Sequence, residues 1–75
     1  MMQIKIKLIG ALRLERFKEL VHEVPEGTKI IELIEQFKIP RRILGIVLIN
    51  GLHATLEHEV QHEDTVSLLP ILGGG

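Results

Sequence analysis

Over residues 2–9 apolar and polar positions alternate, with Ile4, Ile6 and Leu8 on one side and Gln3, Lys5 and Lys7 on the other. A period of two is the mark of a strand with one buried face. Residues 10–16 break the pattern and read as a loop. Over 18–24 the alternation returns, Leu20, His22 and Val24 against Glu19, Val21 and Glu23. That predicts a second strand, although the segment also satisfies a helical reading. Pro25-Glu26-Gly27 is a turn signal. The period then changes. Ile30, Ile31, Leu33, Ile34 and Phe37 recur at spacings of three and four, an apolar helical stripe, with Thr28 as the expected N-cap and Pro40 as the expected stop. Residues 40–44 are expected to form a short helical turn. The continuous apolar run Ile46-Val47-Leu48-Ile49 precedes Asn50-Gly51, the strongest short signal for a type I′ hairpin turn. The return arm is expected over 52–56, a polar loop over 57–64 and a last strand over 65–71, where Val66 and Leu68 alternate with Thr65 and Ser67 and Pro70 suits a strand end.

This order predicts an α+β domain: a mixed sheet of four to five strands with one main helix packed on one face. With 75 residues the chain has room for one domain and little for a deep catalytic cleft. Residues 1–72 are expected to form that domain and 73–75 a flexible glycine tail. A net charge of −1 gives no basic field for nucleic acid. Lys5 and Lys7 interrupt the first apolar stretch, so neither a signal peptide nor a membrane span is expected there. The absence of cysteine rules out a disulfide, a thiol nucleophile and a cysteine-held metal within the chain. It is compatible with the reducing cytoplasm, the expected location.

Two features could carry chemistry. Gly73-Gly74-Gly75 has a chance frequency of roughly 3 in 10,000 at a given place. It reads either as a frayed terminus or as a thin tail that threads a narrow channel, since glycine lacks a Cβ and reaches backbone angles closed to other residues. Such a tail could bring its carboxylate to a nucleotide. The carboxylate becomes electrophilic only when activated, and the activating groups would belong to a partner. The second feature, His58-Glu59-Val60-Gln61-His62, matches the H-E-x-x-H pattern of zinc peptidases. It lacks an amphipathic stripe, so a solvated loop is the favoured reading and no metal site is expected. Adventitious metal binding aided by His53 is the alternative. His22 is expected to be a strand residue.

The chain resembles the small sulfur carriers of the ubiquitin-like β-grasp class, above all the small subunit of molybdopterin synthase. Five stretches carry the resemblance: Ile4-Lys5-Ile6-Lys7-Leu8 with Ala11-Leu12-Arg13; Val24-Pro25-Glu26-Gly27-Thr28; Val47-Leu48-Ile49-Asn50-Gly51; Asp64-Thr65-Val66-Ser67-Leu68-Leu69-Pro70; and Gly74-Gly75. It implies that the Gly75 carboxylate is adenylated by an E1-like enzyme using ATP and converted to a thiocarboxylate, with Gly74 as slim linker. It also implies a large catalytic subunit as acceptor and no cofactor bound to this chain. A carrier for thiamine thiazole, and a β-grasp interaction module or protein modifier, are the alternatives. Two positions depart from the family: Glu63-Asp64 stands where Gly-Asp is usual, and Gly73 where Ser or Ala is. The run 46–49 is expected to leave apolar area on the uncovered sheet face. Val47, Ile49, Leu52, Leu69, Ile71 and Leu72 are the expected partner interface, with Arg13, Arg41 and Arg42 as lesser candidates.

Overall fold

The computed structural model describes residues 1–71. Leu72, Gly73, Gly74 and Gly75, and with them the expected 72/73 boundary between domain and tail, lie outside the described residues. The elements are β1 (Met2–Leu8), a 3-10 turn (Gly10–Arg13), β2 (Glu19–Val24), α1 (Ile30–Gln36), β3 (Leu44–Ile49), β4 (Leu52–His53) and β5 (Thr65–Pro70). They form a five-stranded sheet in the order β2-β1-β5-β3-β4. β1 pairs antiparallel with β2 and parallel with β5, while β3 pairs antiparallel with β4 and β5. Parallel pairing of the first and last strands needs a long crossover, and α1 with its flanking loops supplies it. This is the mixed α+β arrangement that the periodicities predict. Among the described residues no helix is long and apolar enough to cross a membrane.

The alternation in β1 sets the core. Met2, Ile4, Ile6 and Leu8 are buried, and Ile30, Leu33 and Ile34 of α1 join them in one cluster with Val66 and Leu68 of β5. β2 is a strand with the expected parity, so the helical alternative falls away. Its His22 packs edge-on against Phe37 at a centroid distance of 5.1 Å, and Phe17 meets the same ring at 5.4 Å. The stretch expected to be a plain loop, 10–16, contains the 3-10 turn, whose Leu12 is fully buried. Ala11, Leu12 and Leu14 fall in too short a stretch to set a period, so the pattern could not tell buried Leu12 from exposed Leu14.

Both expected helix boundaries are corrected. The N-cap is Lys29, not Thr28: the Thr28 hydroxyl donates instead to the Pro25 carbonyl at 2.8 Å and closes the preceding turn. The helix's first N–H groups go elsewhere. Lys29 N donates to Glu32 Oε1 (2.9 Å), Ile30 N to the His58 carbonyl (3.0 Å) and Ile31 N to the Leu56 carbonyl (2.9 Å). A helix start leaves such donors unpaired unless something else accepts from them. At the other end the helix stops before Pro40. Lys38 takes φ +53, its N–H reaches the Glu35 carbonyl (3.2 Å), and Ile39 N reaches the Ile34 carbonyl (2.9 Å). That is a Schellman closure with lysine in the place glycine usually holds.

Asn50 and Gly51 both have positive φ (51° and 84°), as the hairpin signal requires. The return arm is shorter than expected. β4 covers only Leu52–His53, after which Ala54 N still donates to the Val47 carbonyl (3.0 Å) and Ala54 and Leu56 pack against the core. Residues 57–64 are exposed for the most part, yet Val60 is buried and its N–H donates to the Thr28 carbonyl (2.9 Å). Asn50 also binds the start of β5: its side-chain amide donates to Asp64 Oδ1 and its Oδ1 accepts from Thr65 N, both at 2.9 Å. Asp64 Oδ2 accepts from Gln61 N at 2.8 Å.

Glu63, one of the two departures from the family pattern, sits at φ +69 and donates its N–H to the Gln3 carbonyl at 2.7 Å. That conformation is left-handed, so the glycine usual at this place is the unstrained choice. Glu63→Gly should stabilise the fold by about 0.5–1 kcal/mol, raising Tm by about 2–8 °C in thermal unfolding followed by circular dichroism.

Candidate functional site: the end of the last strand and the open sheet face

Because β5 is parallel to β1, its end lies beside the end of β1 and the 3-10 turn, and Ile9 N donates to the Leu68 carbonyl at 3.1 Å. Because β5 is antiparallel to β3, the same end lies beside the start of β3. Two glycines therefore flank it. A Cβ on Gly10, which has φ +57, would stand 3.3 Å from the Pro70 ring. A Cβ on Gly45 would stand 2.9 Å from Ile71 N and Cα and 3.0 Å from the Pro70 carbonyl carbon. The sheet register shifts between Leu44 and Ile46, and Ile71 N donates to the Ile43 carbonyl at 2.8 Å. The chain is thus held in the sheet as far as Ile71.

The face of the sheet away from α1 differs from expectation on β3. Val47 and Ile49 are only 7% exposed and belong to the core, which corrects their placement on an open interface. The half-buried Ile46 and Leu48 face the other way, beside Leu69 and Ser67 of β5. A run of four apolar residues has no alternation from which to read the parity, so only the pairing with β5 settles it. Of the remaining expected residues, Leu69 is half-buried on the open face. Leu52 is 73% exposed on the short edge strand opposite Ile49, and Ile71 is 49% exposed where the described chain ends. The apolar area formed by Ile46, Leu48 and Leu69 lies next to a polar zone on β1 and β2. There Lys5 and Lys7 approach Glu19 at 4.0 and 3.8 Å, all three side chains well exposed. Arg13 donates from Nε to the Leu8 carbonyl (2.9 Å) at the β5 end of the sheet, while Arg41 and Arg42 are exposed in the turn before β3.

The H-E-x-x-H stretch is not a helix. Its His58 contributes a main-chain carbonyl to the start of α1, and His62 Nδ1 accepts from Gln3 N at 3.0 Å. Among the described residues no three His, Asp or Glu side chains converge on a point where a metal could sit. The apolar area expected from the run 46–49 is present, carried by Ile46 and Leu48 in place of Val47 and Ile49, and pattern reading missed Gly45. The available signal was a glycine inside a strand, which often marks close approach of another backbone.

The family model described as "ThiS family" matches residues 6–75. No curated protein sequence matches the chain. Among solved structures, molybdopterin converting factor subunit 1 from Pyrococcus furiosus superposes with a TM-score of 0.77 at 23% identity, covering 96% of this chain and 100% of that one. Small archaeal modifier protein 1 of Haloferax volcanii gives 0.77 at 18% identity, over 96% and 100% of the two chains. The complex of subunits 1 and 2 of the molybdopterin-converting factor from Helicobacter pylori gives 0.69 at 15% identity, over 99% and 100%. At these identities the likeness is one of fold, the ubiquitin-like β-grasp.

The geometry of the histidine segment leads to a direct expectation. Zinc titrated into the protein and followed by calorimetry should show no stoichiometric binding, and His58→Ala should leave the titration unchanged.

Proposed function

The chain belongs to the ThiS family, and on that footing we propose that it is a sulfur carrier whose reacting group is the carboxylate of Gly75. The observation that carries this reading is the family match, which spans nearly the whole chain and runs through the final glycines. The sheet adds support by carrying the chain up to Ile71 beside an open apolar face, where a partner could dock and take up the terminal residues.

The chemistry has two steps. A carboxylate oxygen of Gly75 attacks the α-phosphorus of ATP on an E1-like adenylating partner and displaces pyrophosphate. Hydrosulfide then attacks the acyl carbon, the C–O bond to AMP breaks, AMP leaves with the oxygen, and the S–H proton passes to solvent. The product is a thiocarboxylate, whose sulfur is nucleophilic and can be passed to an acceptor. Gly74 provides a slim linker without a Cβ. In this reading the partner supplies the nucleotide site and the proton-transfer groups. The chain therefore serves as substrate and subunit of a sulfurtransferase system and not as an enzyme, and it holds no cofactor of its own. ATP-dependent activation suits a cytoplasmic setting.

Within that class we assign the carrier to molybdopterin biosynthesis, with a large catalytic subunit as acceptor. Support comes from the fold likeness to the Pyrococcus furiosus converting-factor subunit and to the two-subunit Helicobacter pylori complex. A thiamine-thiazole carrier is the second reading, favoured by the family description itself. A protein modifier is the third, favoured by the fold likeness to the archaeal modifier. All three would use the same open face. Exposed apolar area of this kind marks partner contact more often than chance.

Incubation with an adenylating enzyme of the family, ATP and a sulfide source should raise the intact mass by one oxygen-for-sulfur exchange. A chain lacking Gly74 and Gly75 should show none, and an unchanged mass in the full chain would refute the carrier reading. Transfer to lysines of other proteins would favour the modifier. Leu48→Glu and Leu69→Glu, each on the open face, should raise KM for the activating partner at least about tenfold while thermal unfolding shifts little, as expected of the few central contact residues that carry most of an interface's binding energy.

A further inference from the structure

We propose that Gly45 is a positioning residue for the reacting tail, through the backbone slot it leaves for Pro70 and Ile71. The proposal rests on the carrier reading and assigns a residue that the reading does not require. A strand interior normally disfavours glycine. Here the missing side chain is used: any Cβ at position 45 would stand 2.9 Å from both N and Cα of Ile71 and 3.0 Å from the carbonyl carbon of Pro70. The obstacle is backbone, so no side-chain rotation relieves it. The register shift between Leu44 and Ile46 brings the Ile43 carbonyl to Ile71 N, and the bond is 2.8 Å long. On the opposite side Gly10, at φ +57, accepts the Pro70 ring against a backbone that also has no side chain. The end of the last strand is thereby held from both sides.

The consequence is a fixed reach. Ile71 is the last residue hydrogen-bonded to the sheet among those described, and Leu72 to Gly75 come after it in the chain. Four residues span at most about 14 Å even when fully extended. The acyl carbon must therefore react within that distance of the slot, and the partner's channel can be no deeper. Releasing Pro70 and Ile71 would lengthen the tether and add residues to be ordered at each threading event. Ordering one backbone residue costs an equilibrium factor of roughly five to thirty. Docking through Ile46, Leu48 and Leu69 would be left as it is, so the loss should fall on kcat and not on KM.

The test uses the full chain with Gly45→Ala and, separately, Ile71→Pro, which deletes the Ile71 donor and keeps glycine at 45. Amide exchange followed by NMR reads the slot directly. Gly45→Ala should lower protection at Ile71 at least about tenfold while the amides of Ile49 and Val66 keep theirs. Both variants should lower the kcat of thiocarboxylate formation about fivefold or more, with KM for the adenylating enzyme moving less than twofold. Wild-type Ile71 protection and wild-type kcat in Gly45→Ala would overturn the proposal, as would a rise in KM at unchanged kcat. A wild-type chain that gains no sulfur would overturn the carrier reading and this proposal together. An active wild type beside fully active variants would overturn this proposal alone.

Discussion

β5 is hydrogen-bonded along both edges, to β1 in parallel and to β3 antiparallel, and much of the remaining structure exists to make that placement possible. A parallel pair cannot be closed by a tight turn. The chain must leave β1, form an antiparallel edge with β2, cross the sheet as α1 and return through β3 before β5 can be inserted between strands already in place. Val66 and Leu68 of β5 then complete the core that β1 and α1 begin. The last strand of the fold therefore lies in the middle of the sheet, held on both sides.

The irregular segment between β4 and β5 serves the same end. Its carbonyls at Leu56 and His58 accept the first N–H groups of α1, Val60 plugs the core, and Asp64 ties the hairpin turn at Asn50 to the start of β5. In sequence this stretch is polar and aperiodic, and its histidines suggest metal chemistry. In the fold its main chain and the side chains of Val60 and Asp64 do the structural work, while most of its other side chains face water. Buried polar groups need partners, and among the described residues no buried side-chain nitrogen or oxygen lacks one.

A carrier of this kind separates two tasks that an enzyme combines. In the reading proposed above, the open face around Ile46, Leu48 and Leu69 serves recognition and Gly75 serves as the reacting group. The sheet ties the face to Ile71, because Ile46 pairs with Leu69 on adjacent strands and the Ile43 carbonyl accepts from Ile71 N just beyond them.

The strand parities of β1, β2 and β5, the stripe of α1 and the Asn50-Gly51 turn were legible because each is a local periodicity or a local φ requirement, carried by neighbouring residues. The family could be recognised from the order and spacing of five short stretches. The helix boundaries were misplaced at Thr28 and Pro40, since capping is decided by which distant carbonyl or which left-handed residue is at hand. The apolar run of β3 gave no parity, so Val47 and Ile49 were set on the wrong face until β5 fixed the register. Gly45 looked like any glycine. The sequence by itself determined the elements and the chemistry its last glycines could present. Only the tertiary structure decided which face is open and where the chain leaves the sheet, because both depend on backbones far apart in sequence lying side by side.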